Sequence, residues 1–214
     1  RENAFSECSK LIKFENYASM IVFSNAFENC RNLANVNLPG ATIFRSAFVG
    51  NNNMTNLQFM HGNVSNLGEL FGYSNDDVPQ TLKNVTVGMD YINKDFFANL
   101  YQLEEVHINN LNSVVEFRAF EKCSLKNYVT INNLEILDNV LISTLPGATE
   151  IVIPNMVQDI AIKAFRGSGV TLKRLEITES SVHLTKDHFN NCYALEQLRL
   201  GPNVTADQGV FTPL

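Results

Sequence analysis

The feature that most constrains the fold of this chain is an internal repeat of about 23 residues. An Ala-Phe pair or a close variant recurs along the sequence, and its aromatic residue serves as a marker. Successive markers are 21 to 26 residues apart, except for one step of 45 residues in which Ile142 occupies the expected place. The markers are Phe5, Phe27, Phe48, Phe71, Phe97, Phe120, Phe165, Phe189 and Phe211.

A second element, Leu-x-x-Φ-x-Φ with Φ apolar, recurs with the same period. Its final Φ-x-Φ alternates, as a strand with one buried face should. A unit of this length cannot bury its apolar edge alone, but it can when it stacks on its neighbours, so the repeat predicts a solenoid. The copy at Leu125 carries one extra residue. The copies begin at Leu11, Leu33, Met54, Leu82, Leu103, Leu125, Ala148, Leu172 and Leu195.

The period runs through the whole chain, so we predict one solenoid domain over residues 1–214. The longer step before Leu82 holds a polar, turn-rich segment at 72–80, which we interpret as an inserted surface loop. The chain begins at Arg1 in the middle of the pattern, without Met or a signal peptide. We therefore expect it to be a piece of a longer protein.

Charge and hydropathy exclude two classes of partner. The net charge is -6 and the isoelectric point is about 5.2, without the clustered Lys and Arg of a nucleic-acid surface. No run of 18 apolar residues occurs, so the sequence predicts no direct membrane insertion.

Three segments carry a family resemblance: AFENCRNLANVNLP at 26–39, AFEKCSLKNYVTI at 119–131 and HFNNCYALEQLRLGPNV at 188–204. They resemble the BspA-like leucine-rich repeat family, whose units read roughly A-F-x-x-C-x-x-L-x-x-Φ-x-Φ. The resemblance implies an α/β-type leucine-rich repeat solenoid that is rich in β-structure. It would be a right-handed curved stack of about nine rungs, with a parallel sheet on the concave face. Short strands, turns or 3₁₀ segments would form the convex face.

The resemblance also implies a location and a role. Members are typically secreted or surface-anchored proteins of gut and oral bacteria and of some parasitic protozoa, and they are associated with adhesion and protein contact. This chain departs from the family pattern where Asn51, Leu100 and Ser168 replace the cysteine, and where the unit around Asn139 to Ser143 lacks its Ala-Phe pair.

The four cysteines, Cys8, Cys30, Cys123 and Cys192, each lie three residues after a marker. Cys8 and Cys30 fall on adjacent rungs, within reach of a disulfide. Because Asn, Leu and Ser fill the same position elsewhere, we expect buried free thiols instead. No C-x-x-C spacing occurs, which argues against a zinc site.

No motif in the chain predicts catalysis or a cofactor. His61, His107, His183 and His188 form no HExxH pattern, and the glycine-serine turn at 166–170 matches neither a nucleophile elbow nor a phosphate loop. The adjacent carboxylates Asp76 and Asp77 are expected to be solvated. The sequence therefore predicts no enzyme, no metal site and no cofactor.

The strand positions between the apolar ones are the candidate binding surface. They point away from the core and vary from rung to rung while the core positions do not. We predict that they bind a protein of a host, a neighbouring cell or the matrix, in an adhesin-like manner. The alternatives are a solvated face without a partner and a structural spacer that holds other domains away from the cell surface. The predicted partner-binding residues are Asn35, Asn37, Asn56, Gln58, Asn84, Thr86, Glu105, His107, Glu150, Arg174, Glu176, Gln197 and Arg199.

Overall fold

The computed structural model describes residues 1–110 and 112–211. Their regular structure consists of short strands and three 3₁₀ helices, Leu67–Leu70, Asn75–Asp77 and Lys186–Phe189. The strands are β1 (Lys13–Glu15), β2 (Met20–Val22), β3 (Asn35–Phe44), β4 (Asn56–Asn63), β5 (Asn84–Val87), β6 (Tyr91–Ile92), β7 (Glu105–Ile108), β8 (Val114–Val115), β9 (Tyr128–Ile131), β10 (Leu134–Leu137), β11 (Val140–Thr144), β12 (Glu150–Val152), β13 (Asp159–Ile160), β14 (Arg174–Ile177), β15 (His183–Leu184), β16 (Gln197–Leu200) and β17 (Thr205–Ala206).

The chain groups into two compact units. Unit 1 comprises Arg1–Asn110 with Arg118–Lys126, and unit 2 comprises the described parts of Leu111–Phe117 and Asn127–Leu214. Each unit is considered by itself. The assignment of the whole chain to a single domain stays a prediction.

Unit 1 is built on a parallel sheet in the order β1-β3-β4-β5-β7, with β2 also paired to β3. The register places the middle apolar residue of each repeat beside its equivalent, so that Val36, Leu57, Val85 and Val106 form one buried column. Each strand covers the apolar edge of the strand before it. This confirms the predicted solenoid, with rungs repeating at the sequence period.

The marker phenylalanines stack from rung to rung. Phe27 lies between Phe5 and Phe48, with ring centroids 5.0 and 5.5 Å away and interplanar angles of 11° and 21°. In unit 2 the same relation joins Phe165 and Phe189 at 6.3 Å. Such aromatic pairs each add about 0.5–1.5 kcal/mol beyond area burial. The spacing predicts that all marker phenylalanines lie in the core, and seven of the nine are buried: Phe27, Phe48, Phe71, Phe97, Phe120, Phe165 and Phe189. The prediction is wrong for the first and last markers, because Phe5 is only partly buried and Phe211 is exposed.

The turns around the unit 1 markers explain why asparagine is common. Around every unit 1 marker except Phe71, backbone φ is positive two residues before the marker and again two residues after it, as at Asn25 and Asn29 around Phe27, both with φ of 57°. Glycine and asparagine adopt this left-handed conformation more readily than other residues. The same two positions are filled by Asn3 and Glu7, Ser46 and Gly50, Asp95 and Asn99, and Arg118 and Lys122 in the other rungs.

The position three residues after the marker donates a hydrogen bond to the preceding rung. The Cys30 thiol lies 2.9 Å from the Phe5 carbonyl oxygen, and the Cys123 thiol lies 2.8 Å from that of Phe97. A small side chain that can donate therefore fits this position in these two rungs, whereas Leu100 fills it in another rung without a donor. All four cysteines are free thiols.

The prediction of buried thiols holds for Cys30 and Cys192, but Cys123 is only partly buried and Cys8 is exposed. The expectation is wrong for Cys8 because no rung precedes it among the described residues, so nothing covers it. Burial raises the pKa of Cys30, and it raises the pKa of Cys123 and of Cys192 to about 11.

Unit 2 combines a parallel sheet β12-β14-β16 and a parallel pair β15-β17 with a sheet in the order β13-β11-β10-β9. In the last sheet, β9, β10 and β11 run antiparallel. This differs from the sequence-based expectation, which made the copy at Leu125 a parallel rung and Ile142 a marker. Ile142 is buried, but it lies in β11.

Two tight turns explain why β9, β10 and β11 run antiparallel. Asn132-Asn133 joins β9 to β10, and Asp138-Asn139 joins β10 to β11, with φ between 50° and 64° at all four residues. Positive φ at both central residues is the geometry of a type I′ turn, whose twist matches an antiparallel hairpin. The two turns convert this part of the repeat into a meander.

The segment at 72–80 folds back on itself. Ser74 and Asp77 form a capping box around the 3₁₀ helix Asn75–Asp77, and the Asp77 carboxylate accepts bonds from the Tyr73 and Ser74 amides at 2.7 and 2.9 Å. These bonds lower the pKa of Asp77. A side chain at Gly68 would collide with the backbone of Ser74, which explains the glycine there. Asp76 and Asp77 are both exposed, as expected, and Asp77 also caps a turn.

Candidate partner-binding faces

The outward residues of the unit 1 sheet form two parallel columns. In the first column, Lys13, Asn35, Asn56, Asn84 and Glu105 are register partners in sequence. The amide face is defined as the predicted residues of unit 1, namely Asn35, Asn37, Asn56, Gln58, Asn84, Thr86, Glu105 and His107. Six of these eight residues carry no charge.

The asparagines of the first column bond to one another. The side-chain amide of Asn84 donates to the side-chain oxygen of Asn56 at 2.7 Å, and Asn56 donates to Asn35 at 2.5 Å. Asn56, in the middle of this row, both accepts and donates. The three side chains are partly buried, so these bonds satisfy polar groups that are half withdrawn from water. Part of the predicted binding surface is thus engaged within the sheet.

The second column places Glu15, Asn37, Gln58, Thr86 and His107 in register. At one end, Asn37 donates to the Tyr17 hydroxyl at 3.2 Å. At the other end, the His107 Nε2 atom lies 3.6 Å from the Glu105 carboxylate. The ionisable side chains of the two columns therefore lie on the outer strands β1 and β7, and the strands between them carry neutral side chains.

Unit 2 presents a second set of outward residues with a different chemistry. Its register aligns Glu150 with Arg174 and Gln197, and Val152 with Glu176 and Arg199. The charged face is defined as these six residues: Glu150, Val152, Arg174, Glu176, Gln197 and Arg199. All but Glu176 are exposed.

Glu176 is the electrostatic centre of the charged face. The Arg174 guanidinium donates to it through Nε at 3.2 Å and through a second nitrogen, and Arg199 lies 3.9 Å from the same oxygen. The hydrogen bonds from Arg174 lower the pKa of Glu176, and the Arg199 charge adds to the effect. The Arg199 side chain is 73% exposed, so most of its guanidinium faces solvent.

All thirteen predicted residues lie on the expected strands, in two columns in each unit. Eight fall on the amide face and five on the charged face. Their role in binding stays a prediction. Sequence reasoning missed Lys13 and Glu15, which begin the two columns of unit 1, although the spacing of LIKFEN carried the signal. It also missed Tyr17, which lies outside the repeat pattern and is 70% exposed.

His188 takes part in structural contacts. The buried His188 ring accepts the Thr185 amide at Nδ1, 2.9 Å away, and donates from Nε2 to the Ile160 carbonyl at 2.8 Å. His188 borders a cleft of about 370 Å³ in unit 2, whose wall also includes Lys163, Arg166 and Asp187. Because both ring nitrogens are engaged, His188 has no nitrogen left to act as a base there.

The described part of the chain holds neither a metal-binding cluster nor a membrane-spanning helix. No group of three or more His, Cys, Asp or Glu residues among residues 1–110 and 112–211 is arranged to hold a metal ion. None of the helices in these residues has the length and hydropathy needed to cross a membrane.

Comparison with known proteins gives one family. The model of the BspA type leucine rich repeat region matches in six copies, over residues 1–78, 78–196 and 143–212. Among solved structures, a leucine-rich repeat protein from Bacteroides ovatus ATCC 8483 is 16% identical, with 100% of this chain and 67% of that chain covered and a TM-score of 0.32. A leucine rich cell surface protein from Faecalibacterium prausnitzii A2-165 is 15% identical, with coverage of 94% and 85% and a TM-score of 0.34. No curated protein matches the chain.

Proposed function

Because this chain belongs to the BspA-type leucine-rich repeat family, we propose that it is a non-enzymatic recognition module that binds a protein partner on the outward residues of its parallel sheets. Repeat solenoids of this kind generally act through extended surfaces that bind other proteins. We further propose that the parent protein is secreted or displayed on a cell surface, where the module has an adhesin-like role.

The observation that carries the proposal is the register of the two sheets. Apolar residues meet apolar residues on the buried side of every rung, so the core constrains the sequence there. On the outward side the same register aligns residues that change from amide to charged between rungs. A surface whose composition varies over a constant core can be adapted to a partner without loss of the fold.

Within this proposal the charged face is the stronger candidate. Arg174 and Arg199 flank the carboxylate of Glu176, and Val152 adds an exposed apolar side chain, 52% accessible, beside them. Arginine is enriched among residues that dominate interface energies, because its guanidinium combines charge, planarity and directed hydrogen bonds. We propose that an acidic segment of the partner contacts this face.

One observation favours the alternative, a structural spacer. The asparagines of the amide face bond to one another, which stabilises the rungs and needs no ligand. A spacer predicts that neither face has a saturable partner.

The test is binding of the purified, biotinylated chain to an array of matrix and host-surface proteins. Beside it we would test Arg174→Ala with Arg199→Ala for the charged face, and Glu105→Ala with His107→Ala for the amide face. The control carries Lys163→Ala and Lys186→Ala, which remove two exposed cations outside the sheets. We expect a saturable partner whose Kd rises at least about tenfold in the charged-face variant and stays unchanged in the control. Equal binding by all variants would contradict the recognition proposal, and the absence of any saturable partner would favour the spacer.

A further inference from the structure

The inserted loop at 72–80 forms one wall of a polar cleft in unit 1. The cleft has a volume of about 500 Å³, and the turns around the markers Phe97 and Phe120 supply most of its other lining residues. All of the lining belongs to unit 1, and every lining residue except Ala98 has a polar side chain. The loop, which is extra to the repeat, therefore helps to form a concave surface outside the two sheet faces. The lining includes Ser65, Ser74, Asp76, Asp95, Asn99 and Lys122.

The loop is fixed to its neighbours by Asn75. The Asn75 side chain accepts a hydrogen bond from the Gly68 amide and donates one to the Ala98 carbonyl, both at 3.0 Å. These bonds tie the loop to the 3₁₀ helix Leu67–Leu70 on one side and to the turn around Phe97 on the other. A wall that is held in this way loses little conformational entropy when a ligand binds, which favours affinity.

Three charged side chains in the lining have no counter-ion of their own. Asp76, Asp95 and Lys122 are exposed, and within residues 1–110 and 112–211 their side chains make no hydrogen bond or ion pair. They offer two carboxylates that accept hydrogen bonds and one ammonium group that donates them. Asn99 adds an exposed amide that can do both. The cleft therefore presents donors and acceptors side by side.

This lining fits a ligand that is uncharged and rich in hydroxyl groups. Clustered cations usually bind a phosphate or a sulfate, but acidic side chains outnumber basic ones here. A divalent cation needs several oxygen ligands, and Lys94 and Lys122 in the same lining oppose a second cation. Sites for apolar ligands are lined mainly by hydrophobic side chains. The hydroxyl groups of a sugar both donate and accept, so a saccharide satisfies both kinds of group in the cleft.

An exposed aromatic ring adjoins the lining. The Tyr101 hydroxyl lies 3.5 Å from the Asn99 side-chain oxygen, and 62% of Tyr101 is exposed. A sugar ring has a face made of C–H groups, and such a face packs against an aromatic surface whose polar end stays in water. The volume of the cleft also lies in the usual range of small-ligand sites, about 300–1,000 Å³, which suits a short oligosaccharide.

We propose that this cleft binds a neutral saccharide. Asp76 and Asp95 accept hydrogen bonds from sugar hydroxyl groups, and Lys122 donates one. The cleft shares no residue with the amide face or the charged face, so this site goes beyond the protein recognition proposed above. The two functions can therefore be tested separately.

The experiment is binding of the 214-residue chain to an array of neutral oligosaccharides of glucose, galactose, mannose and N-acetylglucosamine, beside sulfated and sialylated counterparts. The test variants are Asp76→Ala and Asn99→Gly. The second removes a side chain, while glycine readily adopts the positive φ of 63°. The matched control is Asn29→Gly, which makes the same change two residues after another marker, at a φ of 57° and outside the lining. We expect saturable binding of a neutral oligosaccharide, with a Kd at least about tenfold higher in each test variant and unchanged in the control.

Hydrogen–deuterium exchange with the bound oligosaccharide would locate the site. We expect slower exchange in the 72–80 loop and in the turns around Phe97 and Phe120. The variant with Arg174→Ala and Arg199→Ala should bind the oligosaccharide normally, which separates this site from protein recognition. The proposal would be overturned by the absence of any saturable neutral oligosaccharide, by binding of the charged glycans alone, by equal binding of the unmodified chain and both test variants, or by protection confined to the sheet strands.

Discussion

The side-chain amide of Asn51 lies 2.6 Å from the carbonyl oxygen of Phe27, the marker of the preceding rung. The same amide also donates to the Phe48 carbonyl at 2.8 Å. Asn51 thus makes the contact that the thiol of Cys30 makes one rung earlier, and it is almost completely buried. Its own side-chain oxygen is buried without a hydrogen bond in the structure.

We predict that Asn51→Ala lowers the free energy of unfolding by about 2 kcal/mol, because it removes two hydrogen bonds and leaves a small cavity. Asn51→Cys should stay within about 1 kcal/mol of the unmodified chain, because a thiol donates at this position in other rungs and brings no unpaired oxygen. Urea unfolding would measure both values, with the exposed Asn52→Ala as the control. A Cys variant as unstable as the Ala variant would contradict the donor role.

We predict that Cys8 reacts with a thiol reagent faster than the other three cysteines. Cys8 is exposed, whereas burial raises the pKa of Cys30, Cys123 and Cys192 and so suppresses their reactive thiolates. With a disulfide reagent at mildly alkaline pH, we expect a single fast thiol in the folded chain and the other three only after unfolding. The Cys8→Ser variant should lose the fast phase. A fast phase that persists in that variant would show that one of the covered cysteines is accessible.

The capping box in the 72–80 segment predicts a pH-dependent contribution to stability. The pKa of Asp77 is lowered below the usual value of an aspartate, chiefly by hydrogen bonds from the Tyr73 and Ser74 amides. The carboxylate therefore stabilises the fold above the pKa of the unfolded chain, and this contribution disappears as the pH falls through the lower folded value.

We expect Asp77→Ala to cost about 1 kcal/mol at neutral pH, as the loss of a helix cap does. The difference between the two proteins should shrink in acid below the unfolded pKa of the carboxyl group. Denaturant titrations at several pH values would measure it, with Asp76→Ala as the matched control. A difference that is constant across this range would contradict the role of the ionised carboxylate.

The hairpin turns of unit 2 predict a strong residue preference at Asn133, where φ is 64°. A β-branched side chain is disfavoured in this conformation by about 1–2 kcal/mol, whereas glycine adopts it freely. Asn133→Val should therefore destabilise the chain by that amount, and Asn133→Gly should leave its stability unchanged or increase it. Thermal unfolding would compare them with Asn52→Val, at a turn position without positive φ. Equal effects of Val at both sites would contradict the assigned turn.

The repeat could be predicted from the sequence because its physical cause is local and periodic. The Leu-x-x-Φ-x-Φ copies at Leu33, Met54, Leu82 and Leu172 bury the same positions, and neighbouring marker phenylalanines such as Phe27 and Phe48 stack as their spacing requires. The meander at β9 to β11 was not predicted. Its signals were present, namely the extra residue in LKNYVTI and the pairs Asn132-Asn133 and Asp138-Asn139 between apolar runs. These hairpin signals were missed because every segment was assigned to a single repeat period.

For the candidate binding faces, the sequence predicts the direction of the side chains but not their contacts. Alternation along each strand correctly identified which residues of the faces point outward. It could not tell whether an outward amide meets solvent or its counterpart on the next strand. Asn35, Asn56 and Asn84 have equivalent positions in the repeat, and their mutual bonds depend on side-chain rotamers and on the distance between strands. Those quantities arise only when the rungs are stacked.

The row of asparagines also bears on how such a chain can grow during evolution. Asparagine can donate to asparagine, phenylalanine stacks on phenylalanine, and a turn thiol bonds to a carbonyl that every rung supplies. A rung built from such contacts fits a copy of itself without further change. Duplication of the corresponding stretch of the gene would therefore yield a chain that is one rung longer and already well packed, and the outward positions of the new rung would be free to diverge.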